Sequence, residues 1–96
     1  MTLEEVVAHI ERPYCREAVE ICGADDDGKL AILLGRHGAR VVVVVPTEAD
    51  KLRLDSIKPQ ALNIRVVVGQ SLMKADSYWH VRVSQDQKYD VEYKKI

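Results

Sequence analysis

The stretch Arg40-Val41-Val42-Val43-Val44-Val45-Pro46 decides how this chain folds. Side chains branched at Cβ fit an extended, pleated backbone better than a helix, and a run of them without a polar residue has no face fit for water. Such a strand must be covered on both sides, as in the centre of a parallel sheet.

Downstream, Pro46 stops the strand and Thr47 is placed to cap a helix whose first turn carries Glu48 and Asp50, followed by Leu52, Leu54 and Ile57 before Pro59. Asn63-Ile64-Arg65-Val66-Val67-Val68 is a second strand closed by Gly69. Strand, helix and strand make a βαβ unit over residues 40–68 with a right-handed crossover. The tail then changes period. Trp79, Val81 and Val83 alternate with His80 and Arg82, and Tyr89, Val91 and Tyr93 alternate with Asp90, Glu92 and Lys94. These segments form an antiparallel hairpin about the polar turn Ser84 to Lys88, which lacks an Asn-Gly type of signal to set its register.

Upstream, Thr2 and Glu5 have the spacing of a capping box, and Leu3, Val6, Val7 and Ile10 follow at helical intervals, so residues 2–12 are expected to be a helix. Pro13 suits the first position of a second helix, on which Tyr14, Ala18, Ile21 and Cys22 share a face ending at Gly23; a competing reading makes Ala18 to Cys22 a strand. Asp25 to Asp27 suit the start of a further helix through Leu30, Leu33 and Leu34, ended by Gly35 or Gly38. The expected fold is one α/β domain, with α+β as the alternative: N-terminal helices, one βαβ unit around a buried valine strand, and a C-terminal antiparallel hairpin on the same mixed sheet. The crossover helix covers one face of the valine strand. The N-terminal helices are expected to cover the other; if they pack on the same side, a second subunit is the expected cover.

The sequence is 96 residues long, and its 14 basic and 15 acidic side chains nearly cancel, so no global field draws it to a phosphate backbone or an anionic membrane. No apolar run approaches the roughly 20 residues that span a bilayer. The acids Glu4 and Glu5 near the start are unlike a secretory signal, and the expectation is a soluble, cytoplasmic protein without a membrane partner. Cys15 and Cys22, about two turns apart on the expected helix, are too distant for a disulfide and suit small buried side chains.

Three segments carry hints of chemistry. Gly23-Ala24-Asp25-Asp26-Asp27-Gly28-Lys29-Leu30 has the G-x-x-x-x-G-K spacing of a phosphate-binding loop, but Leu30 stands where a hydroxyl should hold magnesium, and aspartates fill the cradle meant for phosphates. Residues 18–54, taken as strand, glycine-containing loop, helix and valine strand, resemble the opening of a class I methyltransferase fold. That resemblance implies a shared architecture and carries over no site residue, because the loop is aspartate-rich and Val45-Pro46 occupies the place of the ribose-binding acid. In the tail, Glu92-Tyr93-Lys94 resembles the metal-binding strand of the PD-(D/E)XK nucleases, which implies Mg²⁺ and a water held beside Glu92 and Lys94. His9, His37 and His80 show no metal-ligand spacing.

No catalytic set is complete, and no cofactor or metal is expected. The leading expectation is a non-catalytic interaction or accessory module that binds another protein, or itself as a homodimer, through a sheet edge or the aromatic hairpin. The candidate contact residues are Tyr78, Trp79, His80, Arg82, Tyr89 and Tyr93. One alternative is nucleic-acid binding by the hairpin through His80, Arg82, Lys88, Lys94 and Lys95. The other is an enzyme with a degenerate nucleotide or methyl-donor site around Gly23 to Gly28, or a metal nuclease.

Overall fold

A computed structural model describes residues 2–11, 18–23, 28–70 and 77–95. Chain order is α1 (Leu3–Glu11), β1 (Ala18–Gly23), α2 (Lys29–Arg36), β2 (Arg40–Val45), α3 (Glu48–Ile57), β3 (Ile64–Val68), β4 (Ser77–Val83) and β5 (Tyr89–Lys95). The strands form one mixed sheet in the order β3-β2-β1-β4-β5, parallel except for β5. The valine strand β2 is internal, hydrogen-bonded to β1 on one side and to β3 on the other. The expected βαβ unit is present as β2, α3 and β3, and the hairpin as β4 and β5 with Val83 opposite Tyr89.

Local chemistry accounts for several boundaries. Glu5 N–H donates to Thr2 Oγ1 at 3.2 Å and Thr2 N–H donates to Glu5 Oε1 at 3.3 Å, which completes the capping box of α1. Thr47 caps α3 by accepting from Asp50 N–H. Helix α2 ends in a Schellman motif: Ala39 N–H reaches Leu34 O, Gly38 N–H reaches Gly35 O, and Gly38 takes the left-handed conformation at φ 91°. In the hairpin, Ser84 N–H donates to Lys88 O, Lys88 N–H donates back to Ser84 Oγ, and Gln87 takes the positive φ the turn requires.

One open alternative is decided and one expectation is corrected. Ala18 to Gly23 is a strand, as the competing reading has it, because β2 and β4 flank it and supply partners for its backbone on both sides. Residues 13–17, the first part of the alternative helix, and the cysteine Cys15 lie outside the described residues. Helix α2 begins at Lys29 with Gly28 as its N-cap, left-handed and without a side-chain cap, so no aspartate occupies the capping position. Asp25 to Asp27 are likewise outside the described residues.

The helices do not sandwich the sheet. Val6 and Ile10 of α1, Leu30 and Leu34 of α2, and Leu54 of α3 join one core with Val19 and Ile21, Val41, Val43 and Val45, Ile64 and Val66, and Val81 and Val83. All of these strand residues share one face by alternation and register. Crossovers of one hand stepping the same way across a sheet must use the same face, so α2 and α3 lie together, and α1 packs with them rather than opposite. The second face carries Glu20, Cys22, Val42, Val44, Val67, His80 and Arg82. At its centre Glu20 is 5% exposed, Val42 8% and Val67 9%, all within the single chain. Val44, on the same face, is only partly buried.

Candidate functional site

Sequence order and spatial order part company at β1. From β1 the chain steps outward to β2 and β3, then returns to place β4 on the other side of β1. Where strand order reverses, the connections leave the carboxyl ends of neighbouring strands in opposite directions and open a crevice, the usual ligand position of an open α/β sheet. A cleft of about 810 Å³ lies there, with Cys22, Gly23, Val45, Arg53, Val83 and Gln85 among its lining. Gly23 closes the floor. A Cβ built on it would stand 2.1 Å from the carbonyl oxygen of Val83, so only glycine allows β1 and β4 to approach this closely. The apolar walls come from β2 and α3; Asp50, Arg53, Ser84, Gln85 and Gln87 supply the polar groups.

Just below this opening, the second face holds an acid in the middle of the sheet. Glu20 is the one charged side chain among the described residues that is buried. A carboxylate taken out of water is costly unless it is met by polar partners. The register places His80 of β4 directly across from Glu20, and His80 Nδ1 lies 2.7 Å from Glu20 Oε1. Only 12% of the His80 side chain and 6% of the Glu20 side chain are exposed. Cys22, two residues along β1 and on the same face, directs its thiol to Glu20 Oε1 at 3.6 Å. Burial first, and the Glu20 carboxylate second, push the Cys22 thiol up to about 11. Cys22 belongs both to this trio and to the cleft lining.

The hairpin residues proposed as one contact surface are divided between the two faces. Trp79, Tyr89 and Tyr93 lie on the helix side: Trp79 meets His9 edge-on at 5.1 Å and Tyr93 at 4.8 Å between ring centroids, and Tyr89 is buried in the core. Among the described residues the buried indole N–H of Trp79 meets no hydrogen-bond partner. Tyr78, His80 and Arg82 lie on the opposite face. His80 is largely buried and turns to Glu20. Glu92 and Lys94 share that second face, opposite His80 and Tyr78 respectively.

Sequence reasoning missed Glu20 as a site residue. The available signal was a single acid within Ala18-Val19-Glu20-Ile21-Cys22, which demands a buried partner once the segment is an internal strand. Its partner is distant in the chain and no local spacing announces it. No described protein family matches the sequence, and no curated protein matches it. Among the described residues no helix is long and apolar enough to cross a membrane.

Proposed function

We propose that this chain is a non-catalytic binding module that receives a small organic ligand of nucleoside size in the crevice at the carboxyl ends of β1 and β4. The observation that carries the reading is the reversal of strand order at β1 together with the cleft above it. The lining combines apolar walls with a few hydrogen-bonding side chains, as small-molecule sites do.

Charge narrows the ligand. The connection after β1 carries Asp25, Asp26 and Asp27, whose charges oppose a polyphosphate. Neutral or cationic ligands, such as a nucleoside or a sulfonium compound, avoid that repulsion. The sheet edges offer less than the crevice. Lys58 Nζ already donates to the Ile64 carbonyl of β3 at 2.8 Å, and β5 carries Asp90, Glu92, Lys94 and Lys95 along its length. Such charges discourage a further strand from pairing.

The test is binding by NMR and thermal shift with adenosine, S-adenosylmethionine and ATP. A ligand at about a hundredfold excess over its Kd stabilises by about 2.7 kcal/mol. Adenosine or S-adenosylmethionine should raise the melting temperature and shift the amides of Cys22, Gly23, Val45 and Val83, with ATP weaker than adenosine. Gln85→Trp, which fills the cleft from an exposed turn, should abolish the effect. Shifts confined to other parts of the chain, or none with any of the three compounds, would remove the basis for the reading.

A further inference from the structure

We propose that Glu20, Cys22 and His80 form a three-ligand site for a divalent transition-metal ion of the zinc class, with a fourth position left to water. The site is independent of the organic ligand proposed for the cleft.

The donor atoms are already gathered. Glu20, Cys22 and His80 each offer one donor atom, and these atoms all lie within 4.8 Å of one another. Zinc takes oxygen and nitrogen at about 2.0 Å and sulfur at about 2.3 Å in tetrahedral geometry, which sets an oxygen–sulfur edge of about 3.5 Å and an oxygen–nitrogen edge of about 3.3 Å. The observed oxygen–sulfur separation is 3.6 Å, and the oxygen–nitrogen separation is 2.7 Å. The second edge must open by about 0.6 Å when an ion with bonds of this length replaces the proton shared between carboxylate and imidazole.

The donor chemistry selects the class of ion. Magnesium and calcium take oxygen ligands, whereas one nitrogen, one sulfur and one carboxylate oxygen suit zinc and cobalt. Rigidity favours the site as well. Two ligands alternate along β1, and the third is the register partner of the first on β4, so all three stand on internal strands. The Cys22 sulfur must give up its thiol proton to serve as a ligand. On metal binding that proton passes to solvent and the thiolate takes the ion in its place. A carboxylate–imidazole pair alone would account for a structural hydrogen bond. The thiol, turned onto the same carboxylate oxygen, supplies a third ligand that such a pair does not need.

Cobalt(II) titrated into the full chain is the probe. The expected result is saturation at one ion per chain, with the intense near-ultraviolet absorption of a cobalt–thiolate bond that zinc then displaces. Cys22→Ser should remove that absorption and Cys15→Ser should leave it. His80→Gln retains a side-chain amide to meet Glu20, and it should weaken cobalt binding by at least about tenfold, as loss of even an outer-shell partner does. Far-UV circular dichroism confirms that each variant is folded. The proposal is overturned if the wild type shows no saturable cobalt–thiolate absorption, if the absorption survives Cys22→Ser or disappears in Cys15→Ser, or if folded His80→Gln binds as tightly as the wild type.

Discussion

Replacing Gly23 by alanine tests the contact that shapes the crevice floor. The new methyl carbon would lie 2.1 Å from Val83 O, where a carbon–oxygen contact needs about 3.3 Å. The end of β4 must therefore retreat by about 1.2 Å, more than the window of about 0.5 Å that a good N–H···O bond tolerates, so one or two ladder bonds at this end fail. Each is worth about 1 kcal/mol. The backbone adds a second cost, since φ at Gly23 is 111°, a conformation that penalises an L-residue by roughly 1–2 kcal/mol. Together these give a loss of about 2–4 kcal/mol. Gly69→Ala is the control: its φ is 81°, but nothing lies within 4 Å of the new methyl, so only the backbone penalty of about 1–2 kcal/mol applies. For a chain of this size 1 kcal/mol corresponds to about 4–8 °C in Tm. Thermal and urea unfolding should then separate the two variants by about 1–2 kcal/mol, or about 4–16 °C. Equal losses would refute the close approach of β1 and β4, and with it the floor of the crevice.

Other perturbations probe elements that support the site. Leu34→Ala empties a fully buried position between α2 and the sheet and should cost about 2–5 kcal/mol by urea unfolding. Thr47→Ala removes the oxygen that accepts from Asp50 N–H at the start of α3 and should cost about 1 kcal/mol, with faster amide exchange at Asp50. The backbone N–H of Thr2 first, and its side chain second, hold the Glu5 carboxyl below its ordinary 4.5. A carboxyl depressed by folding stabilises above its ordinary value and loses that contribution as pH falls through the lower folded value. The first turn of α1 should accordingly fray on acidification below about pH 4.5, and an NMR titration of Thr2→Ala should show Glu5 returning toward its ordinary value.

How much was legible depends on how far each residue's partners lie along the chain. The capping box of Thr2 and Glu5, the Thr47 cap, the βαβ unit and the hairpin are all written in neighbouring residues, and each appears as expected. β1 was harder. Ala18-Val19-Glu20-Ile21-Cys22 has one polar residue among apolar ones, a spacing that a helix beginning at Pro13 satisfies equally well. What decides for the strand is the hydrogen bonding of β2 and β4, both supplied from later in the chain. The same distance hid the site: the aromatic hairpin looked like one surface in sequence, yet alternation sends Trp79, Tyr89 and Tyr93 to the helices and His80 to Glu20.

The valine strand and the buried acid belong together. Val42 is the register partner of Glu20 and Val44 that of Cys22, so the all-apolar strand that marked the fold also walls the site on one side. Hydrocarbon beside a carboxylate lowers the local dielectric, which strengthens its attraction to a metal ion. It also raises the cost of leaving that carboxylate unpaired. A polar residue in place of Val42 or Val44 would bring water or a competing hydrogen bond to Glu20 and weaken both effects. The absence of alternation in β2 thus has a different cause on each face: on one side valines meet the helices, and on the other they keep water from the single acid of the sheet's interior.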